Sequence, residues 1–384
     1  MAISKLLYVA NIRFPTERAH GIQIAEMCDA FASLGAEVEL VVQRRVNVLE
    51  EDVFTYYNIP RSFRITELRT IDTLQYAWTG ILGRLSYTMQ TFVYALNALR
   101  YALKTPGFIY SRDEFPLFLL SFFGRPFVYE VHAPKRSFIV RRVIRKAALI
   151  LPISHGLESY YLKQGVPDEK ILVAPDAVNL SRFTIKETRE ECRKRLSLPE
   201  DKKIVLYAGH LYERKGAFVV GDAAPLCDDN TIVLFVGGTE DEIPEFTERY
   251  GKDAHVRILG PKPYADIPYY LRAADVLVLP NSAKDADARI YTSPMKLFEY
   301  MASGTPIIAS DVPSLREILD ENSAYLFNPD DSQALAKSIM YVLTHTGEAY
   351  GKAHASKARV SEYSWVSRAR NILGAIERVT SPGK

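Results

Sequence analysis

The 384-residue sequence has only three cysteines, Cys28, Cys192 and Cys227, widely separated and forming no C-x-x-C pair. That excludes a disulfide framework and a cysteine-based zinc site, and it fits a reducing compartment. Histidine is nearly as scarce, with seven residues at no metal-ligand spacing, so a protein-held catalytic zinc is not expected. Neither sign of charge dominates. Lys plus Arg number 48 against 46 Asp plus Glu, and a net charge of +2 argues against nucleic acid as a partner. Long hydrophobic runs are missing. Leu6–Ala10 is too short for a signal-peptide core, and Phe115–Phe123 is about half a membrane span and is followed by Arg125. There is no Walker A loop, no G-x-G-x-x-G fingerprint and no internal repeat. A cytoplasmic chain that does not cross a bilayer is expected.

What is present is an ordinary globular composition, 48% hydrophobic and 24% charged, at a length that favours two domains. Short β-rich runs recur in two series. The first is Leu6–Val9, Val38–Val42, Phe108–Tyr110, Phe127–Val131, Leu149–Ile153 and Ile171–Ala174. The second is Ile204–Ala208, Thr231–Val236, Val256–Leu259, Val276–Leu279, Pro306–Ala309 and Ala324–Phe327. Most are continuous rather than alternating, as suits parallel strands covered on both faces. Helical patterns lie between them: Ile24, Cys28, Phe31 and Leu34 share one face, and Gly35 stands where a C-cap glycine belongs. Strand–helix alternation predicts α/β architecture with two parallel, Rossmann-like sheets. The charged stretch Lys186–Arg195 and the following Leu198-Pro199 place the linker between 180 and 200. Ligands of such sheets sit beyond the carboxyl ends of the strands, so the residues after each strand are the ones to inspect.

After Ile204–Ala208 comes Gly209-His-Leu-Tyr-Glu-Arg214-Lys215-Gly216, a glycine-bracketed turn with two adjacent cations near a helix start. Cations there call for an anion partner, and a diphosphate supplies one; an exposed Arg-Lys pair is the plainer alternative. A second segment runs Tyr291-Thr-Ser293-Pro294-Met295-Lys296-Leu-Phe-Glu299. Ser293 as N-cap and Pro294 in the first turn predict a helix start, with Lys296 in its first turn and Glu299 on the same face. A carboxylate one turn behind a phosphate cradle can accept both vicinal hydroxyls of a ribose; an ordinary Lys–Glu pair is the alternative. Gly237-Gly238 and the loop Gly260-Pro-Lys262-Pro-Tyr264 also follow strands, where glycine permits close backbone approach. In the first half, the loop Asn11–Ile22 reaches the first helix through His20-Gly21. Arg112-Asp113-Glu114 follow one strand, and His132 ends another with Glu130 on the same side. From Lys135 to Lys146, six cations interleave with Phe138, Ile139, Val140, Val143 and Ile144. The stretch reads as a surface helix with a solvated basic face, or else as a contact with an anionic membrane.

Together these motifs resemble the retaining glycosyltransferases of family 4, which have the GT-B fold. Gly209–Gly216 is similar to the family's G-x-x-x-x-x-K-G. Gly260–Pro280 resembles L-G…A-A-D-V-x-V-x-P, and Lys296–Ile308 resembles K-x-x-E-x-M-A-x-G-x-P-V. The resemblance implies two Rossmann-like domains facing each other across a cleft. Residues 1–180 would form the acceptor side, with the helix 365–380 packing back on it, and 181–364 the donor side. It implies that Arg214 and Lys215 hold a donor diphosphate, with Gly209 and Gly238 lining the site. Backbone around Pro294, Met295 and Lys296 would bind phosphate, Ser293 would help recognise the sugar, Glu299 would bind the ribose and the loop carrying Lys262 the base. His132 would lie beside the transferred sugar, with His20, Gly21 and Arg112 on the acceptor side. The implied reaction moves a hexose-type sugar from a UDP- or GDP-sugar to a glycan, lipid-linked or small-molecule acceptor without a metal. A sugar-nucleotide epimerase and a silent binding subunit are the alternatives. One position departs from the family: Tyr291 stands where the first glutamate of its pair is usual, and Thr292-Ser-Pro-Met-Lys resembles a subgroup with S-P-x-K there.

Overall fold

The computed structural model describes residues 5–47, 49–72 and 80–380. Contacts divide the chain into two units: one runs to Pro175 and resumes at Trp365, the other is Asp176–Ser364.

The first unit carries strands β1 (Lys5–Ala10), β2 (Glu37–Gln43), β3 (Arg64–Leu68), β4 (Phe108–Ser111), β5 (Phe127–Val131) and β6 (Leu149–Pro152) in one sheet ordered β3-β2-β1-β4-β5-β6. The second carries β7 (Lys203–Ala208), β8 (Thr231–Val236), β9 (Val256–Gly260), β10 (Val276–Leu279), β11 (Ile307–Ser310) and β12 (Tyr325–Phe327), ordered β12-β11-β10-β7-β8-β9. Counted from its own first strand, each sheet has the same doubly wound order, and every pairing is parallel. Central strands are buried on both faces, which is why Leu6–Ala10 and Ile204–Ala208 read as unbroken apolar runs. In the second unit one core cluster includes Leu206, Leu234 and Leu277, and a second, built on the alternate residues, includes Val205, Val233 and Val276.

The structure corrects the expected strand set at two places. Ile171–Ala174 is not a strand: it makes one isolated bridge to Ile150, with Leu172 donating to Ile150 and Ala174 to Pro152. Pro152 has no N–H to return a ladder bond, so pairing stops. The missing strand is β3, whose sequence Arg-Ile-Thr-Glu-Leu has only two apolar residues and stays half-exposed because it lies at the sheet edge. The charged stretch read as linker holds the helix Arg189–Arg195, closed by a Thr188/Glu191 capping box. Arg193 and Arg189 pair with Asp275 at 2.7 and 3.0 Å, and Asp275 also accepts the Ile204 N–H. Those bonds fix the stretch to the base of β7.

The helix Trp365–Thr380 buries Trp365, Ala369, Ile372 and Ile376 in the first unit, against the helix Ala19–Ser33. Among the described residues no helix is long and apolar enough to cross a membrane.

Candidate functional site

In each sheet the strand order reverses between its first and fourth strands, and the loops beyond that point are the expected ligand position. The second unit shows the construction best. Gly209 leaves β7 with φ 137°, its N–H donating to Val236 O, and Gly238 N–H (φ 84°) donates back to Gly209 O at 3.0 Å. A Cβ on Gly237 would lie 2.4 Å from Gly209 O, so these turns close only with glycine. Glu213–Lys215 form a single tight turn, and Gly216 (φ 76°) starts the helix Ala217–Ala223. A Cβ on Gly216 would stand 1.6 Å from Pro280 O, and Arg214 O receives the Ser282 N–H at 3.4 Å. The loops after β7 and β10 are therefore in contact at the switch point.

Lys296 lies in the first turn of the helix Met295–Ser303, whose Tyr300 hydroxyl accepts the Ala208 N–H and ties the helix to the end of β7. The Lys296 Nζ sits 4.4 Å over the Tyr207 ring and 3.6 Å from where a Gly209 Cβ would be. It is buried and has no hydrogen-bond partner among the described residues. Burial, then the nearby Lys215, lowers its pKa to about 7 against the pull of Glu299. Lys215 is itself shifted downward, by burial first and by Arg214 second. Like-charged ammonium groups held this way, one without a hydrogen-bond partner among the described residues, have the chemistry to receive an anion. Arg214 is exposed at its edge, 5.5 Å from the Tyr212 ring. Glu299 is buried and accepts the Tyr264 hydroxyl at 2.8 Å, so the loop after β9 reaches the same helix.

One expected role fails. Ser293 is not the N-cap; Pro294 occupies that position, and the Ser293 hydroxyl accepts the Asp176 N–H at 3.0 Å. The helix begins one residue later because Pro294 keeps an extended ψ of 124°. Lys262 is half-buried in the loop after β9 and makes no hydrogen bond or ion pair among the described residues. Tyr291 ends a π-helical turn, Asp287–Tyr291, that sequence reading did not anticipate. Asn281, directly after β10, was also missed: it is 1% exposed, and neither amide atom has a partner among the described residues.

The first unit joins its two switch-point loops through Asn11 N–H, which donates to Asp113 at 2.7 Å. Behind them lies Glu130, fully buried. It accepts from Gln23 at 2.6 Å and from Tyr110, contacts His132 Nε2 at 2.5 Å, and pairs with Arg368 at 3.1 Å. Burial alone would raise this carboxyl; Arg368, then His132 and Arg112, hold it well below the usual range. Burial and Arg112 push His132 down to about 4, so the ring is neutral at pH 7. Facing an ionised carboxylate, a neutral imidazole places its one N–H on Nε2 and leaves Nδ1 as an acceptor. His20 is also lowered to about 4, by burial and then by Arg112, with His132 a further cause. Arg112 donates to Gln23 at 2.5 Å. Gly21 serves packing: a Cβ there would meet the Tyr57 hydroxyl at 2.3 Å, and that hydroxyl bonds the Thr16 backbone. Sequence reading brought Glu130 and His132 together but missed Gln23, Tyr110 and Arg368. Gln23 and Arg368 carry a readable signal, a polar residue inside the buried stripe of an amphipathic helix.

Known proteins match this description. Residues 21–182 match the family model described as Glycosyltransferase Family 4, and residues 188–359 the one described as Glycosyl transferases group 1. A putative teichuronic acid biosynthesis glycosyltransferase of Bacillus subtilis is 31% identical over 210 residues, 54% of this chain and 50% of that protein. A phosphatidyl-myo-inositol mannosyltransferase of Mycobacterium leprae is 31% identical over 54% of this chain and 55% of its own length. The chain thus spans about half the length of these curated relatives. Among solved structures, the sucrose-phosphate synthase of Thermosynechococcus elongatus superposes with TM-score 0.77 at 19% identity, covering 99% of this chain and 100% of that one. HepE of Anabaena in complex with UDP and glucose gives 0.74 at 18%, covering 98% and 99%.

Proposed function

We propose that this chain, a GT-B protein carrying the two glycosyltransferase family domains, is a cytoplasmic enzyme that moves a hexose-type sugar from a UDP- or GDP-sugar to a glycan, lipid-linked or small-molecule acceptor with retention of configuration. The observation that carries the reading is the buried Lys296 ammonium, without a hydrogen-bond partner among the described residues, beside Lys215 at the end of β7. A nucleoside diphosphate supplies the missing charge. The names of the relatives, which refer to teichuronic acid and phosphatidyl-inositol, support a glycan or lipid-borne acceptor, and the UDP bound to HepE supports a uridine donor.

In this reading the glycosidic bond to the diphosphate lengthens before the new bond forms, so the sugar becomes oxocarbenium-like and the leaving group gains negative charge. Arg214, Lys215 and Lys296 stabilise that charge from fixed positions, and no metal or cofactor takes part. Glu299, one oxygen held by Tyr264, accepts the ribose hydroxyls. His132 Nδ1 accepts a sugar hydroxyl, with the ring fixed by Glu130. Peripheral contact with the inner face of a membrane through Lys135–Lys146 belongs to the same reading.

The test is product analysis with UDP-, GDP- and ADP-hexoses, with and without an oligosaccharide acceptor. Acceptor-dependent nucleotide release and an extended glycan of retained anomeric configuration are expected. Conversion of the sugar nucleotide without acceptor would make the protein an epimerase. Absence of both reactions, despite thermal stabilisation by the nucleotide, would make it a binding subunit.

A further inference from the structure

The helix Phe138–Lys146 is capped by Ser137 and buries Val140, Val143 and Ile144. Its other face presents Phe138, 67% exposed, with Arg141, Arg145 and Lys146. Those three cations make no ion pair or hydrogen bond among the described residues. The neighbouring turn, after the helix Glu114–Leu120, adds Phe122 and Phe123 at 56% and 54% exposure. The rings are held out, not collapsed: Arg142 lies 3.6 Å over Phe122 and donates to the Ser121 hydroxyl at 2.7 Å, and Phe118 stands edge-on to both Phe122 and Phe138. Between them runs a groove of about 850 Å³ that also takes in Gln164. Both amide atoms of Gln164 are buried and lack a partner among the described residues.

We infer that this face docks on a bilayer containing anionic phospholipid, with a lipid phosphate in the groove against Arg141, Arg145 and the Gln164 amide. It gives the membrane contact of the proposed function a defined face and does not depend on which sugar is transferred. The commitment to a bilayer rests on complementarity. Exposed aromatic rings and cations without a partner among the described residues share one short surface, and a phospholipid interface offers both acyl chains and phosphate oxygens. Each cation near such a surface adds to the attraction, so Arg141, Arg145 and Lys146 together dominate the recognition. A chain with net charge +2 has no global attraction to anionic lipid, so binding must be local to this face.

The experiment is sedimentation of the full chain with vesicles of phosphatidylcholine alone, and of phosphatidylcholine mixed with phosphatidylglycerol. Wild type should pellet with the mixed vesicles only, less so as salt is raised. R141E/R145E should lose tenfold or more in lipid affinity. F122S/F138S should bind more weakly with the salt dependence kept. Both variants lie on the surface, and unchanged melting temperature and nucleotide release on a soluble acceptor establish that they fold. Equal pelleting on neutral vesicles, or R141E/R145E binding like wild type, overturns the proposal. So does light scattering that shows a wild-type dimer dissolved by F122S/F138S, which would assign the face to a second copy of the chain.

Discussion

The two units share one strand order, and they treat charge at the switch point in opposite ways. In the first, Glu130 is saturated: Gln23, Tyr110, His132 and Arg368 all meet its two oxygens, and the histidines nearby are kept neutral. In the second, the Lys296 ammonium has no hydrogen-bond partner among the described residues, and burial and Lys215 lower its pKa. A closed polar network fixes geometry and stores stability, because removing one member leaves the others buried and unpaired. An open cluster of like charge costs stability and is retained for what binds there. The same fold therefore supplies a half that fixes a neutral hydrogen-bonding ring and a half whose like charges suit an anion.

The largest effect should come from breaking the closed network. Glu130→Ala leaves the Arg368 guanidinium buried without its carboxylate, and loss of one partner of such a pair costs about 3–5 kcal/mol. Denaturant unfolding should show that loss, and nucleotide binding by the surviving folded fraction should be unchanged. A variant as stable as wild type would mean that Arg368 is held by the Ala174 and Pro175 carbonyls alone. Next is the open cluster. Lys215→Ala should lower turnover by on the order of 10²-fold, as expected for one lost transition-state donor, with stability equal to wild type or slightly above it. Turnover within a few-fold of wild type would remove Lys215 from the site. If Glu130→Ala lowered stability while nucleotide binding held, and Lys215→Ala lowered turnover while stability held, the contrast between the units would stand. A mixed outcome would break it.

Most of this division was legible in the sequence wherever the signal was local. Among the described residues, eleven of the twelve strands announce themselves as largely apolar runs, and the turn glycines Gly209, Gly216 and Gly238 stand where the chain has positive φ. What was not legible is long-range. Strand β3 carries only two apolar residues because its edge position leaves it half-exposed, and Ile171–Ala174 reads as a strand because its failure to pair depends on Pro152 in the neighbouring strand. Ser293 looks like a cap until Asp176, 117 positions away, claims its hydroxyl. Arg368 joins Glu130 across most of the chain, a pairing that no window of sequence contains. The Lys186–Arg195 stretch misleads for the same reason, since its arginines are answered by Asp275.

The smallest expected effect discriminates most finely, since it asks whether the buried Lys296 is tuned for an anion. Its folded-state pKa of about 7 lies below the ordinary lysine value of 10.5. Between those values the unfolded chain holds a proton that the folded one has released, so the stability of the ligand-free protein should rise with pH above 7. A bound diphosphate favours the protonated ammonium, so binding above pH 7 takes up a proton and should weaken by up to tenfold, about 1.4 kcal/mol, per pH unit. The ligand does not confuse the measurement, because a terminal phosphate has lost its second proton above about pH 6. Calorimetric titration of UDP and GDP between pH 7 and 9, paired with thermal unfolding of the free protein, should give slopes of opposite sign. Lys296→Met should flatten both. Parallel slopes, or a methionine variant that keeps them, would place the proton elsewhere and leave the second unit as closed as the first.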